Sequence, residues 1–247
     1  NEVGRNRFDA VQHEGAERVA RIAAETGVPR MVQVSAIGAD EGSDSAYARS
    51  KAQGEAAVLA HMPGAMILRP SVIFGPEDDF FNRFAGMSRF GPILPVVGAE
   101  TRFQPVYVDD VAKAAVMGAE GQAPGGIYEL GGPDVATFRD LMRNMLEIIH
   151  RRRLVMNIPF FVARIMAFGF DMVQKATLGL ITNGMLTRDQ VRNLRRDNVV
   201  ADGARGFEAL GIAPKSMATV LPEYLWRFRP SGQYDEIRDS ARNLRTN

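Results

Sequence analysis

Short β-branched segments alternate with helical segments through the first 137 residues, and this alternation constrains the fold more than any other feature. Four apolar runs predict buried strands: Arg30–Ala36, Met66–Phe74, Phe103–Val108 and Ile127–Leu130. Three segments with apolar side chains at helical spacing precede or separate them: Phe8–Glu25, Ser45–His61 and Asp110–Glu120. Strands that alternate with helices across short loops are typical of a parallel sheet covered on both faces. The sequence therefore predicts an α/β fold with a doubly wound parallel sheet over residues 1–137.

Residues 138–247 differ in character and are predicted to be mostly helical. One helix is expected over Phe138–His150, and a strongly apolar one runs from Pro159 to about Leu178. Residues 143–196 carry ten Lys and Arg but three Asp and Glu. A basic segment around an amphipathic helix suits contact with anionic lipid or a partner, so we expect residues 151–175 to provide it. Packing of this helix on its own domain is the alternative.

The composition argues against several classes of function. The chain has no Cys, which excludes disulfides and thiolate chemistry. His13, His61 and His150 are far apart, and the acidic run Glu77–Asp79 is expected to be solvated, so no metal site is predicted. Thirty Lys and Arg against 29 Asp and Glu argue against a nucleic-acid binder. No apolar run approaches the 18 or so uncharged residues of a membrane-spanning helix.

Three residues carry the most informative chemistry, and they are Ser35, Tyr47 and Lys51. Tyr47 and Lys51 are four residues apart, on one face of a predicted helix, and Ser35 ends the preceding strand. A phenol has a pKa of about 10, and a cation one turn away is expected to lower it toward the range useful for proton transfer. A serine hydroxyl can bind a substrate carbonyl. The set suits hydride transfer between a nicotinamide and an alcohol or ketone, although Tyr-x-x-x-Lys alone also occurs by chance.

The same residues carry a resemblance to known proteins. Val34–Ala36, Tyr47-x-x-x-Lys51 and Leu68–Pro76 resemble the extended or atypical short-chain dehydrogenases/reductases. Longer segments are similar to the family of alpha-subcomplex subunit nine of respiratory complex I, and they are Ser35–Asp40, Tyr47–Glu55, Ile73–Asn82, Phe103–Val111 and Leu186–Val191. The resemblance implies a Rossmann-like sheet, of which this chain is the C-terminal portion, followed by a helical partner or substrate region over 138–247.

The resemblance also implies a nucleotide site, with one departure. The glycine-rich turn that holds a dinucleotide pyrophosphate is absent, so we expect the strands that bind adenosine to lie upstream of Asn1. Ser35, Tyr47 and Lys51 carry over as catalytic and cofactor-binding residues. Pro70, Ser71 and Val72 match the segment beside the nicotinamide ring, although Pro70 is equally interpreted as a strand terminator. The implied cofactor is NADP or NAD, with NADP preferred.

Two functional hypotheses remain open, together with a third interpretation, a scaffold without a cofactor, which the missing glycine-rich turn allows. The first is an accessory or assembly subunit of a membrane-bound NADH:quinone oxidoreductase, with a mainly structural nucleotide. Its partners would be other subunits of the complex, and its location peripheral, on the cytoplasmic face of a bacterial inner membrane or the matrix face of the mitochondrial inner membrane. The second is a free reductase or nucleotide-sugar epimerase that uses the Ser-Tyr-Lys triad. Retained Tyr and Lys residues do not separate the two, because they also serve ribose binding.

Overall fold

The central sheet has three parallel strands. The structure is a computed structural model that describes residues 8–176, 188–230 and 232. For residues 170–176 and 188 it describes the backbone alone. The strands are β1 (Val32–Val34), β2 (Met66–Pro70) and β7 (Gly126–Leu130), in the order β1-β2-β7. The side chains of Ile67 and Leu68 point to opposite faces and are both fully buried. The middle strand is therefore apolar at its first three positions, Met66–Leu68, because both of its faces are covered there.

Helices cover the two faces of this sheet. Helix α1 (Glu14–Glu25) follows a π-helical turn, and with α2 (Ala46–His61) it packs on the face that carries Ile67. Helix α4 (Val108–Glu120) packs on the other face, against Leu68. This arrangement confirms the predicted α/β fold with a doubly wound parallel sheet.

Two of the predicted strands are each divided in the structure. Residues 66–74 form β2 and a separate β3 (Ile73–Phe74), and residues 102–107 form β5 (Arg102–Phe103) and β6 (Val106–Tyr107). Strands β3 and β6 pair with each other outside the central sheet. A proline lies at or between the halves of each run, Pro70 in the first and Pro105 in the second. Because proline has no amide hydrogen, it interrupts a ladder of hydrogen bonds. The break after Pro70 agrees with the interpretation of that residue as a strand terminator, whereas the prediction of a single strand over Phe103–Val108 is wrong.

A second parallel pair joins residues on either side of position 137. Strand β4 (Ile93–Val97) pairs with β9 (Leu154–Ile158), so the helical C-terminal region also contains a strand. Strand β8 (Ala136–Thr137) pairs antiparallel with β5. We call these four strands, β4, β5, β8 and β9, together with five helices, the second lobe. The helices are α3 (Phe81–Met87), α5 (Phe138–Ile148), α6 (Phe160–Ala176), α7 (Arg188–Asn193) and α8 (Met217–Leu225). Two 3-10 turns span Phe207–Leu210 and Trp226–Phe228. The boundary between two domains at residue 137 stays a prediction. The β4–β9 pair joins strands from either side of that boundary.

Two acidic sites are part of the folded core. Asp109 and Asp110 lie in the first turn of α4 after Tyr107. The carboxylate of Asp110 is fully buried and accepts a hydrogen bond from the amide of Lys215 at 2.7 Å. In the acidic run, Asp78 accepts hydrogen bonds from the amides of Gly75 and Asn82 and from the Tyr224 hydroxyl, so this carboxylate is structural. Glu77 and Asp79 are exposed, as expected.

Helix α7 is attached to the start of α2 by one carboxylate. Asp189 accepts hydrogen bonds from the Ser45 hydroxyl at 2.8 Å and from the amides of Ala46 and Tyr47 at 2.9 and 3.2 Å. The first amides of a helix have no partner within the helix and carry partial positive charge, so a carboxylate is well suited to them. Asp189 therefore fixes α7 beside the turn that carries Tyr47.

We predict that Asp189→Ala destabilises the protein. It removes a charged acceptor from three donors, which should lower the free energy of unfolding by about 1–3 kcal/mol. The measurement is the urea midpoint of the full-length protein. Asp202→Ala, which removes an exposed carboxylate, is the matched control for charge. Equal midpoints for the two variants would contradict the structural role of Asp189.

Candidate functional site

A cavity of about 460 Å³ opens at the carboxyl ends of β1 and β2. Residues 36–39, which follow β1, form one wall, and the end of β2 forms another. Ligands of open α/β sheets bind outside the carboxyl ends of the strands. The volume lies within the range of roughly 300–1,000 Å³ that is usual for small-molecule sites.

Five of the six predicted site residues line this cavity. They are Tyr47, Lys51, Pro70, Ser71 and Val72. Tyr47 and Lys51 reach it from successive turns of α2, whereas the other three lie where β2 ends. Positions 47 and 51 are thus brought to positions 70–72 by the crossover from β1 through α2 to β2.

Ser35 is the sixth predicted residue, and it does not line the cavity. Its side chain is buried, and its hydroxyl donates a hydrogen bond to the carboxylate of Glu55. Glu55 also receives three hydrogen bonds from the guanidinium of Arg69, at 2.9, 3.2 and 2.6 Å. Arg69 in turn lies 3.6 Å from the carboxylate of Glu129. The hydroxyl of Ser35 is directed into this buried network, so the arrangement gives no support to its binding a substrate carbonyl.

Tyr47 lies in a largely apolar setting. Its ring contacts Phe8 edge to face at 5.7 Å between centroids, and the Lys51 ammonium lies 5.8 Å from its centroid. Burial raises the pKa of the Tyr47 phenol above its usual value. The expectation that Lys51 lowers this pKa is wrong for this arrangement, because loss of hydration disfavours the phenolate more than the cation favours it. Tyr47 is therefore a protonated donor at neutral pH.

Lys51 is anchored to the end of β1. Its ammonium donates to the carbonyl of Val34 at 3.3 Å, which uses one of its three hydrogens. Burial lowers the pKa of Lys51, and the charge of Glu55 one turn away opposes that shift. The ammonium is thus positioned at the cavity wall with further donors for a ligand.

A distant loop closes the remaining side of the cavity. Ser71 donates to the side-chain oxygen of Asn198 at 2.6 Å, and the amide and guanidinium of Arg102 both donate to Asp197 at 2.8 Å. These bonds to Arg102 lower the pKa of Asp197. Asn198 and Asp197 have no motif of their own in the sequence, and the residues they bind are about a hundred positions earlier in the chain.

Residues 151–175, the segment expected to contact lipid or a partner, are only partly exposed. Arg151 and Arg153 are half-buried and donate to the carbonyls of Phe228 and Ser88. Helix α6 buries Ala163 and Ala167. Four of its large apolar side chains are exposed, Phe161 by 65%, Ile165 by 68%, Met166 by 40% and Phe168 by 50%.

Parts of this segment lie outside the described residues. They are the side chains of Asp171, Gln174 and Lys175, the predicted end of the apolar helix at Leu178, and Leu186 and Thr187 of the segment Leu186–Val191. Within the described ranges, no group of three or more His, Asp or Glu could hold a metal ion. No helix in those ranges is both long and apolar enough to cross a bilayer.

Several known proteins with similar sequences are named as subunits of NADH dehydrogenase [ubiquinone] or of NADH-ubiquinone oxidoreductase. Mitochondrial NADH dehydrogenase [ubiquinone] 1 alpha subcomplex subunit 9 from Arabidopsis thaliana is 37% identical over 91% of this chain and 57% of its own length. The mitochondrial NADH-ubiquinone oxidoreductase 40 kDa subunit from Neurospora crassa is 30% identical over 92% of this chain and 58% of its own length. This chain thus spans a little over half of these relatives. The predicted resemblance to subunit nine is confirmed by these homologues.

The fold is shared with enzymes of nucleotide-sugar metabolism. A solved dTDP-glucose 4,6-dehydratase from Bacillus anthracis, in complex with NAD, superposes with a TM-score of 0.64 at 16% identity, over 93% of this chain and 68% of that one. The family described as RmlD substrate binding domain matches residues 2–159. The chain therefore belongs to the RmlD substrate binding domain family, and alpha subcomplex subunit 9 of complex I is among its homologues.

Proposed function

We propose that this chain is part of an NAD(P)(H)-binding accessory subunit of a membrane-bound NADH:quinone oxidoreductase, with the nucleotide held mainly as a structural element. The observation that carries the proposal is the cavity at the strand ends, where Lys51 and Tyr47 face Ser71. The homology to subunit 9 over nearly the whole chain supports the assignment to the respiratory complex. Other subunits of that complex are the proposed partners.

The residues present fit the nicotinamide end of a dinucleotide. The Lys51 ammonium is a donor suited to ribose oxygens, and the Tyr47 hydroxyl oxygen can accept from a ribose hydroxyl. The end of β2 at Pro70 and Val72 offers an apolar surface for a ring. A bound nicotinamide would supply hydride chemistry. Between the two nucleotides, the resemblance to subunit nine favours NADP, whereas the dehydratase of similar fold was solved with NAD.

A structural role for the nucleotide agrees with the hydrogen bonding of Ser35 and the protonation of Tyr47. Ser35 is engaged by Glu55 and lies outside the cavity lining, and burial keeps the Tyr47 phenol protonated because its pKa is raised. Both features weaken the set as an acid–base catalyst, while neither reduces hydrogen bonding to a ribose.

A free reductase or epimerase is the second candidate. The observation in its favour is that Tyr47 and Lys51 both line the cavity and that Ser43 contributes another hydroxyl to the lining. In such an enzyme Tyr47 would move a proton to or from a substrate oxygen. Turnover of a carbonyl or nucleotide-sugar substrate by the purified full-length protein would favour this candidate.

We predict that Lys51→Ala weakens nucleotide binding by about 1–3 kcal/mol, the range for loss of a charge-assisted hydrogen bond. Tyr47→Phe should change the affinity less and abolish any turnover. Calorimetric titration of the full-length protein with NADPH and NADH measures both effects. Arg18→Ala, at an exposed position of α1, is the control. Unchanged affinity in Lys51→Ala would exclude its proposed role.

The subunit assignment is tested by native separation of solubilised membranes. We expect the full-length protein to comigrate with a large NADH:quinone oxidoreductase and to be released only when the complex is dissociated. Migration as a lone oligomer, with oxidoreductase turnover of its own, would instead support the free enzyme.

We further propose that the exposed side chains of α6 attach the protein to a membrane or to a partner beside it. Phe161 and Ile165 are exposed apolar residues, and Arg152 and Arg164 supply exposed positive charge nearby in the chain. Such a combination suits an anionic interface. By resemblance, the membrane is the bacterial inner membrane at its cytoplasmic face or the mitochondrial inner membrane at its matrix face.

Phe161→Asp combined with Ile165→Asp should release the full-length protein from vesicles that contain anionic lipid. Because both side chains are exposed, the thermal midpoint should change little. The control replaces Val116 and Val135, two exposed valines elsewhere, with Asp. Retention of the α6 variant on the vesicles, with the control behaving alike, would contradict this surface.

A further inference from the structure

The wall of the cavity beyond Tyr47 and Lys51 is made of phenylalanine rings. Phe80 and Phe138 are stacked with their centroids 5.5 Å apart, and Phe84 contacts Phe138 edge to face at 5.3 Å. Phe103 lies 5.5 Å from Phe138. All four rings line the cavity. The site therefore has a polar end at α2 and an aromatic, apolar end in the second lobe.

Two methionines continue this apolar lining. Met87, at the end of α3, is half-buried, and Met166 on α6 is 40% exposed. Methionine side chains are flexible and adapt to ligands of irregular shape. Met166 belongs to the same helix as the exposed Phe161 and Ile165, so an apolar ligand at the interface proposed above would be close to the cavity.

Apart from Lys51 at the polar end, the charged side chains of the lining interact with other groups of the protein. Asp197 is bound by Arg102, and Arg196 lies 3.5 Å from Asp40. Arg83 also has interactions of its own. A nucleotide-sugar diphosphate requires cations that are available to it. The lining is thus better suited to an uncharged apolar group than to a diphosphate.

We infer that the cavity binds the apolar chain of a lipid-like ketone or alcohol, with the chain against the four phenylalanine rings and the oxygen at the Tyr47 hydroxyl. This inference rests on the proposed function, since the nucleotide would occupy the polar end. Among the described residues, no side chain or backbone group makes a hydrogen bond to the Tyr47 hydroxyl, which is protonated and able to donate to a carbonyl. The chain is of acyl or of isoprenoid type, and the test distinguishes them.

The test is a calorimetric series on the full-length protein saturated with NADPH. The probes are the methyl ketones 2-butanone, 2-heptanone and 2-undecanone, geranylacetone as the isoprenoid ketone, and UDP-glucose. Each buried methylene should tighten binding about fourfold until the chain fills the cavity. Tighter binding of 2-undecanone than of geranylacetone assigns an acyl chain, and the reverse order an isoprenoid chain.

Matched variants tie the binding to this cavity. Met166→Glu should weaken 2-undecanone binding about tenfold or more, since it introduces a charge at the apolar lining. Val116→Glu, at an exposed position of α4 outside this cavity, should leave it unchanged. Nucleotide affinity should be equal in both variants, and melting curves confirm that both are folded.

Equal affinity for 2-butanone and 2-undecanone, or binding of UDP-glucose in preference to every ketone, would overturn the inference. Loss of the proposed function is recognised separately, because it appears in the preceding nucleotide titration. If nucleotide does not bind, the ketone series on the nucleotide-free protein still tests whether the aromatic wall accepts a chain.

Discussion

The buried carboxylate of Glu55 is the interaction on which the site depends most. It holds α2 to the end of β1 through Ser35 and to β2 through Arg69. Removing a carboxylate from water is costly, and the cost is offset only where charge and hydrogen bonds are both satisfied, as they are here. Lys51 lies one turn before Glu55 on the same helix. The hydrogen bonds of Glu55 therefore help to position the Lys51 ammonium at the carboxyl ends of the strands.

The cavity is assembled from two parts of the chain with different chemistry. The doubly wound sheet supplies hydroxyl and ammonium groups at one end, from α2 and the end of β2. The second lobe supplies rings and methionines at the other end, and its loop with Asn198 joins the two through Ser71. Asp189 reinforces the same junction at the first turn of α2. A ligand in this cavity would therefore contact both parts at once.

The sequence predicted the local parts of this arrangement and not the distant ones. Tyr47 and Lys51 could be assigned to one helix face because helical spacing alone determines it, and alternating strands and helices were enough for the fold class. The direction of the Ser35 hydroxyl depends on Glu55, twenty residues later, so no short motif reveals it. Strand β4 was missed because Pro92 and Pro95 argue against a strand. The pH behaviour of Tyr47 required its burial, which spacing does not report.

The pairing of β4 with β9 has a consequence for how the cavity forms in time. Ile93 meets Leu154, so the intervening chain must be closed into a loop before this parallel ladder gains any hydrogen bond. Closing a long loop lowers the conformational entropy of the chain before any contact between its ends has formed to stabilise it. Chains rich in such distant pairings therefore fold slowly. The β1–α2–β2 crossover is more local, so the polar end of the cavity can form while its aromatic end is still open. An apolar molecule present during folding would meet exposed phenylalanine rings before the lobe closes around them.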